Sequence, residues 1–515
     1  MLEQGGAISE VARQMLKRAE VHRVAALRNI PQDQQSSLGQ FFTPNRAAQL
    51  VASIPRLPKS GQLRVLDPGA GSGMLLAALA ARALEECLDV SLSLVAVELD
   101  SHVMPYLKAT LADLKSTVSD CGIKLDYEIK PGDYVELRTG VVDVLSQAEQ
   151  FDLVIMNPPY RKLSVSSAHR KALSRLGADC PNIYAGFLAL GALGLRDGGQ
   201  LVAITPRSFA NGPYFDQFRN FLLDRVNLDR IHVFESRSTV FSDTGVLQEN
   251  IIFSATRAAS PGSVVLSVSH GHTDEIVMRR VEYADVVKPG DSHRFIRLLV
   301  DDEDTVTAET MAAMPATLGD IKVEVSTGRV VDFRSRECLL SQPDNESYPL
   351  IYPGNVRNGL IEWPRKLKKP QAFAAREPKD QNFLLPQGYY VVVKRFSAKE
   401  ERRRVVASVW DPSINSGPVA FENHLNIFHR GGEGLPRNLA VGLSYWLNGS
   451  VVDRFFRTFS GHTQVNATDL RSLRYPSLEV LEQWGGMLEI ALPEQKEIDA
   501  KVAAMFELLG GQAGE

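Results

Sequence analysis

Residues Leu63 to Leu76 read LRVLDPGAGSGMLL. A β-rich run ends at Asp67, a glycine turn follows, and a helix-forming run of Leu and Ala begins directly after it. Gly69, Gly71 and Gly73 let the backbone turn sharply and come close to a ligand. The pattern recurs down the chain. A second strand ends in AVELD, a third in GDY, and a fourth, FDLVIMN, is almost wholly apolar, as a strand covered on both faces must be. Between them lie helical stretches such as SHVMPYLKATLADLK and IYAGFLALGALGL. A fifth strand, GGQLVAITP, and two more near LDRIHVF and QENIIFSAT complete the series. Alternating strands and helices predict an α/β domain with a doubly wound, mostly parallel sheet.

Such sheets bind ligands at the carboxyl ends of their strands. Asp67, Glu98 and Asp133 end the first three strands, and this narrows the ligand. A glycine loop alone also suits a pyrophosphate, but a carboxylate at Asp67 repels one and attracts a sulfonium or amino group. Glu98 can accept hydrogen bonds from two ribose hydroxyls. Asp133 can accept from an adenine amine, with Tyr134 against the ring. Each of these residues also has an ordinary use as a turn or cap.

The fourth strand delivers Asn157-Pro158-Pro159-Tyr160 to the same crevice. An amine on an aromatic ring is a poor nucleophile because its lone pair is delocalised. Two fixed acceptors, the Asn157 side-chain carbonyl and the Pro158 backbone carbonyl, can hold its hydrogens and turn the lone pair outward. The prolines stiffen the tip, and Tyr160 offers a face for stacking. The competing use of this tetrapeptide is a chain reversal with the tyrosine in the core.

The elements GQFFTP, LDPGAGSG, AVELD, GDY and NPPY occur in the order found in the gamma class of adenine-N6 DNA methyltransferases. The TaqI and PstI/BsuBI modification enzymes belong to that class. The resemblance covers residues 36–256. It implies a Rossmann-like class I methyltransferase sheet, S-adenosyl-L-methionine as cofactor, and transfer to the N6 amine of an adenine flipped out of double-stranded DNA. It implies cofactor contacts for Thr43, Asp67, Gly69, Gly71, Glu98, Asp133 and Tyr134. Asn157, Pro158 and Tyr160 would hold the target base, and Phe241, in VFSDTGVLQENIIF, would stack on its other face unless it is a core phenylalanine. NPPY is shared with glutamine methyltransferases and some RNA methyltransferases, and an inactive DNA-binding subunit is a further alternative.

The remaining chain fits this partner. Net charge is −4, so phosphate-binding charge must be gathered locally. VKRFSAKEERRR and WPRKLKKP supply it. Lys394, Arg395, Arg402, Arg403 and Arg404 are candidates for phosphate contact. Gln464 and Asn466 either read bases or brace a loop. The expected organisation is a helical extension over 1–35, the methyltransferase domain over 36–256, a connecting region over 257–320, and a mixed α+β target-recognition domain over 321–515. The four cysteines are scattered, and no HxH or CxxC cluster suggests a metal. The polar N-terminus and the lack of a long apolar run predict a cytosolic protein. A cognate restriction endonuclease is the expected functional partner.

Overall fold

The structure is a computed structural model and describes residues 2–30, 42–140, 150–234, 250–258, 260–269, 276–299, 301–397, 401–460 and 464–511. Two compact units emerge, Met1–Val300 and Asp301–Glu515.

The first unit opens with α1 (Leu2–Asn29) and α2 (Asn45–Ala52). Strand and helix then alternate: β1 (Ser60–Asp67), α3 (Met74–Glu85), β2 (Asp89–Glu98), α4 (Met104–Asp120), β3 (Lys124–Pro131), α5 (Tyr134–Thr139) and β4 (Phe151–Met156). There follow α6 (Ala168–Arg175), α7 (Ile183–Leu193), β5 (Leu195–Pro206), α8 (Asp216–Leu223), β6 (Asn227–Phe234), β7 (Asn250–Thr256), β8 (Val264–Ser269) and β9 (Val277–Val281). The sheet order is β3-β2-β1-β4-β5-β7-β6-β8-β9. Strands β3 to β5 run parallel, and β7 is antiparallel to both β5 and β6. Sequence order reverses between β1 and β4, where Val65 pairs with Leu153. A crevice opens at such a reversal, because the chain leaves the two strands in opposite directions.

Helix α1 is part of this unit and not an appended extension. It packs on α3 and α4. Its Ala12, Met15, Leu16 and Ala19 join the core that contains Val65, Leu76 and Leu111. Met15 and Leu16 each stabilise the fold by about 1.5–3 kcal/mol through lost apolar contact with water. Arg18 bonds Asp113 at 2.9 Å and His22 meets Thr110 at 3.0 Å, which fixes α1 along α4.

Pro44 occupies the cap position of α2, and its carbonyl accepts from the Ala48 N–H at 2.9 Å. Two expectations are corrected. The sheet continues past residue 256. Residues 257–300, expected as a connecting region, add β8 beside β6 and then β9 beside β8. The second unit accordingly begins at Asp301, earlier than residue 321.

That second unit is mixed α+β. Its strands are short: β10 (Glu324–Thr327), β11 (Leu339–Leu340), β12 (Tyr348–Ile351), β13 (Val356–Arg357), β14 (Leu360–Ile361), β15 (Ala372–Phe373), β16 (Leu384–Leu385), β17 (Tyr390–Lys394), β18 (Ala407–Trp410), β19 (Val419–Phe421) and β20 (Leu425–His429). They form one sheet ordered β10-β20-β17-β18-β14-β13 and another ordered β11-β15-β12-β19-β16. Tyr390, Val392, Trp410, Phe421 and Ile427 make a shared core. The helices are α9 (Asp302–Ala313), α10 (Arg437–Leu447), α11 (Ser450–Phe459), α12 (Ala467–Arg471), α13 (Leu478–Gly486) and α14 (Gln495–Gly511).

Candidate active site

A cleft lies at the β1/β4 reversal, the place where sheets of this kind take small ligands. Of the cofactor candidates, Thr43, Gly69, Gly71, Glu98, Asp133 and Tyr134 line it, together with Asn157. Asp67 sits just beneath, at the tip of β1.

Gly71 shows why the loop needs glycine. Its φ is +53°, and a Cβ there would come within 3.2 Å of the Phe42 ring. The Gly71 N–H is turned to Glu98, which accepts at 2.8 Å, and Glu98 also accepts from the Asp100 N–H at 2.7 Å. Burial pushes the Glu98 carboxyl above its ordinary range, and these N–H donors partly oppose that shift.

Asp67 is 1% exposed. Its Oδ1 faces the Gly69 N–H at 3.4 Å, while Oδ2 is buried and has no hydrogen-bond partner among the described residues. Burial, reinforced by the nearby Glu98 carboxylate, pushes its pKa up to about 8 against the pull of the Gly69 N–H. A buried carboxylate with a vacant oxygen suits an ammonium group, whose charge would offset the desolvation. The donor set therefore fits an aminoacyl sulfonium cofactor. Asp67 would face its amino group, the glycine loop its backbone-proximal side, Glu98 the ribose, and Asp133 with Tyr134 the adenine.

Asp133 already has structural work. Its Oδ1 caps α5, accepting from Val135 at 2.8 Å and Glu136 at 3.1 Å, and Oδ2 lies 3.2 Å from His169 Nε2. The cap holds the carboxylate at the cleft wall. Tyr134 is buried against Phe187, with ring centroids 5.1 Å apart.

Asn157 stands at the tip of β4. Its Nδ2 donates to Thr43 Oγ1 at 3.0 Å, and its Oδ1 accepts from the Tyr160 hydroxyl at 3.0 Å. That hydroxyl also lies 3.2 Å from the Ile204 carbonyl oxygen. Burial raises the Tyr160 pKa well above the usual tyrosine value, so the hydroxyl keeps its proton and acts as a donor. The Tyr160 ring meets Tyr184 edge-on at 6.2 Å, and Tyr184 stacks on Phe215 at 5.6 Å. Pro158 is buried beneath the tip, while Pro159 lines the cleft. Phe241 lies outside the described residues.

Phe42, Phe187, His169 and Arg161 belong to the site but were not picked out from sequence. Phe42 adjoins the GQFFTP threonine, which was the available signal. Phe187 lies within a run that reads only as a buried helix, and His169 and Arg161 have no distinguishing pattern.

In the second unit the basic candidates separate. Arg402 is exposed. Lys394 is part-buried, and burial lowers its pKa. Arg395 donates to the Asn423 carbonyl at 3.2 Å. Arg403 donates to the Val405 and Gly449 carbonyls at 3.3 and 3.2 Å and closely to Asn448 and Gln495. Arg404 is corrected outright. It is 1% exposed, donates to Ser397 Oγ at 3.1 Å and Ser460 Oγ at 3.2 Å, and lies over the Phe456 ring. A guanidinium so held cannot meet a phosphate without breaking those bonds. Asn466 caps α12 in a reciprocal pairing with Asp469. Gln464 is part-buried and its backbone bridges to Phe396.

Comparison with known proteins agrees with this architecture. The family model described as Eco57I restriction-modification methylase matches residues 106–241. A solved structure of the type IIL restriction-modification enzyme MmeI in complex with DNA shares the fold, with a TM-score of 0.55 and 12% identity, covering 98% of this chain and 75% of that one. The chain is 37% identical over 492 residues to the type II methyltransferase M.PstI of Providencia stuartii, covering 95% of this chain and 96% of that protein. It is 39% identical over 481 residues to the type II methyltransferase M.BsuBI of Bacillus subtilis, covering 92% and 94%. Identity of that extent along nearly the whole of both relatives means that the chain belongs to the type II restriction-modification DNA methyltransferases.

Proposed function

We propose that this chain methylates the exocyclic N6 amine of an adenine turned out of duplex DNA, with S-adenosyl-L-methionine as methyl donor and the Asp301–Glu515 unit recognising the sequence. The observation that carries the choice of an amine is the Asn157 amide, held at the cleft by Thr43 and Tyr160. When bound, the cofactor supplies a methyl carbon on a positively charged sulfur, whose bond to carbon breaks as the new nitrogen–carbon bond forms.

The chain's own residues do the rest. Asn157 Oδ1 and the Pro158 carbonyl accept the two amine hydrogens, which frees the nitrogen lone pair for attack. Pre-placed acceptors of this kind need no reorganisation during the reaction. The amine proton is lost to solvent after transfer, so no dedicated base is required. Tyr160 stacks on the base, contributing about 1–3 kcal/mol toward the few kcal/mol that extrusion costs.

Duplex DNA incubated with the protein and labelled cofactor, then digested to nucleosides, is expected to yield N6-methyladenosine as its deoxynucleoside. Label in N4-methylcytosine, in RNA or in protein instead would overturn the assignment.

The basic residues yield a second expectation. Arg402→Ala is expected to lower the salt slope of DNA binding by about one released ion, with unfolding unchanged. Arg404→Ala should leave that slope intact and cost about 1–3 kcal/mol of stability, because the buried Ser460 hydroxyl loses its guanidinium partner and Ser397 keeps only its bond to the residue-404 carbonyl. Salt titrations alongside thermal melts separate the two.

A further inference from the structure

A side-chain amide serves a substrate amine only while it is held in the productive place. Something must therefore anchor the Asn157 amide at the cleft.

The structure places Thr43 to do this. Its hydroxyl oxygen accepts from Asn157 Nδ2 at 3.0 Å, and the residue is 6% exposed. The segment that carries it is itself held. Phe42 packs with Ala26 of the N-terminal helix, with Ile30 just beyond its end and with Val103, and its ring covers Gly71. From the other side the Tyr160 hydroxyl donates to Oδ1 at 3.0 Å.

We infer that Thr43 is a positioning residue for methyl transfer: its hydroxyl anchors the Asn157 amide at the cleft. This goes beyond the cofactor contact that the resemblance implies for Thr43, and it rests on the proposed role of Asn157 as acceptor. The N-terminal helix and the Phe42–Thr43 segment thereby reach the chemistry through one hydrogen bond.

The test uses the full-length protein, duplex DNA and S-adenosyl-L-methionine, with single-turnover rates at saturating cofactor and a separate cofactor Kd. Thr43→Val keeps the volume and removes the hydroxyl. Its rate is expected to fall by about 10–100-fold, the scale of a misplaced catalytic group, with cofactor Kd changed by less than about threefold. Thr43→Ser, which keeps the hydroxyl, is expected to recover most of the rate. Thr43→Ala, which adds no bulk, serves as the second hydroxyl-free variant if Thr43→Val does not fold. A hydroxyl-free variant with an unchanged rate and a weakened Kd would show that Thr43 serves the cofactor alone and overturn the inference. The two layers stay distinguishable: an active Asn157→Ala removes the acceptor role, whereas an inactive Asn157→Ala beside an active Thr43→Val removes only the role of Thr43.

Discussion

Asn157→Ala is expected to lower methyl transfer by about 10²–10³-fold, the usual cost of deleting one pre-placed polar partner from an active site. The cofactor Kd should move by only a few-fold. The reason lies in the division of labour at the cleft. The carboxylates that would hold the donor, Asp67 and Glu98, end β1 and β2, whereas Asn157 ends β4. Alanine leaves the Pro158 carbonyl as a single acceptor, so the amine stays flat and its lone pair stays in the ring. It also releases the Thr43 and Tyr160 hydroxyls from the amide. That should cost about 1 kcal/mol of stability, too little to explain the lost rate. Single-turnover kinetics at saturating cofactor, with a parallel binding isotherm, make the comparison. Turnover near that of the parent would sink the role given to Asn157.

Cofactor affinity is expected to strengthen by roughly tenfold per pH unit between about pH 6 and 8. The cause is Asp67, whose pKa burial raises to about 8 in the free protein. Below that value the unliganded carboxyl holds a proton, and pairing with an ammonium group expels it. Raising the pH removes this cost. Above about pH 8 the gain ends, because an α-amino group itself loses its charge near pH 7.7–8.0. The sign for folding is opposite. Between the ordinary value of 3.8 and about 8, the folded chain retains a proton that the unfolded chain has lost. The contribution of Asp67 to stability is therefore least unfavourable below pH 3.8 and worsens as pH rises through that window. Asp67→Asn, which resembles the protonated acid, is expected to flatten the binding profile. It should bind about as well as the parent near pH 6 and about 100-fold more weakly near pH 8. Isothermal calorimetry in buffers of different ionisation enthalpy measures the released proton directly. A flat profile in the parent would exclude Asp67 as the partner of the amino group.

Much of this site was legible because its residues sit at abrupt changes of pattern. Asp67, Glu98 and Asn157 each end an apolar strand run, and β-sheet geometry brings neighbouring strand tips together whatever lies between them in sequence. The adjacency of β1 and β4 followed from the same logic. Phe42 and Phe187 were hidden because an aromatic lining a cleft and one filling a core share one pattern. Strand β9 escaped because VMRRV carries charge and sits at a sheet edge, where four of its five residues keep some solvent contact. The arginine run was misleading for a different reason. Charge is read one residue at a time, but burial of Arg404 depends on Ser397, Phe456 and Ser460, residues up to 56 positions away.

Hybrid enzymes that exchange specificity between relatives need a splice point, and the extra pair of strands decides where it can fall. A junction at residue 256 would strip β8 from the flank of β6, uncovering His232, whose ring nitrogens meet the hydroxyls of Ser267 and Ser269 at 3.0 Å. A junction at the 300/301 boundary leaves all nine strands with a single parent.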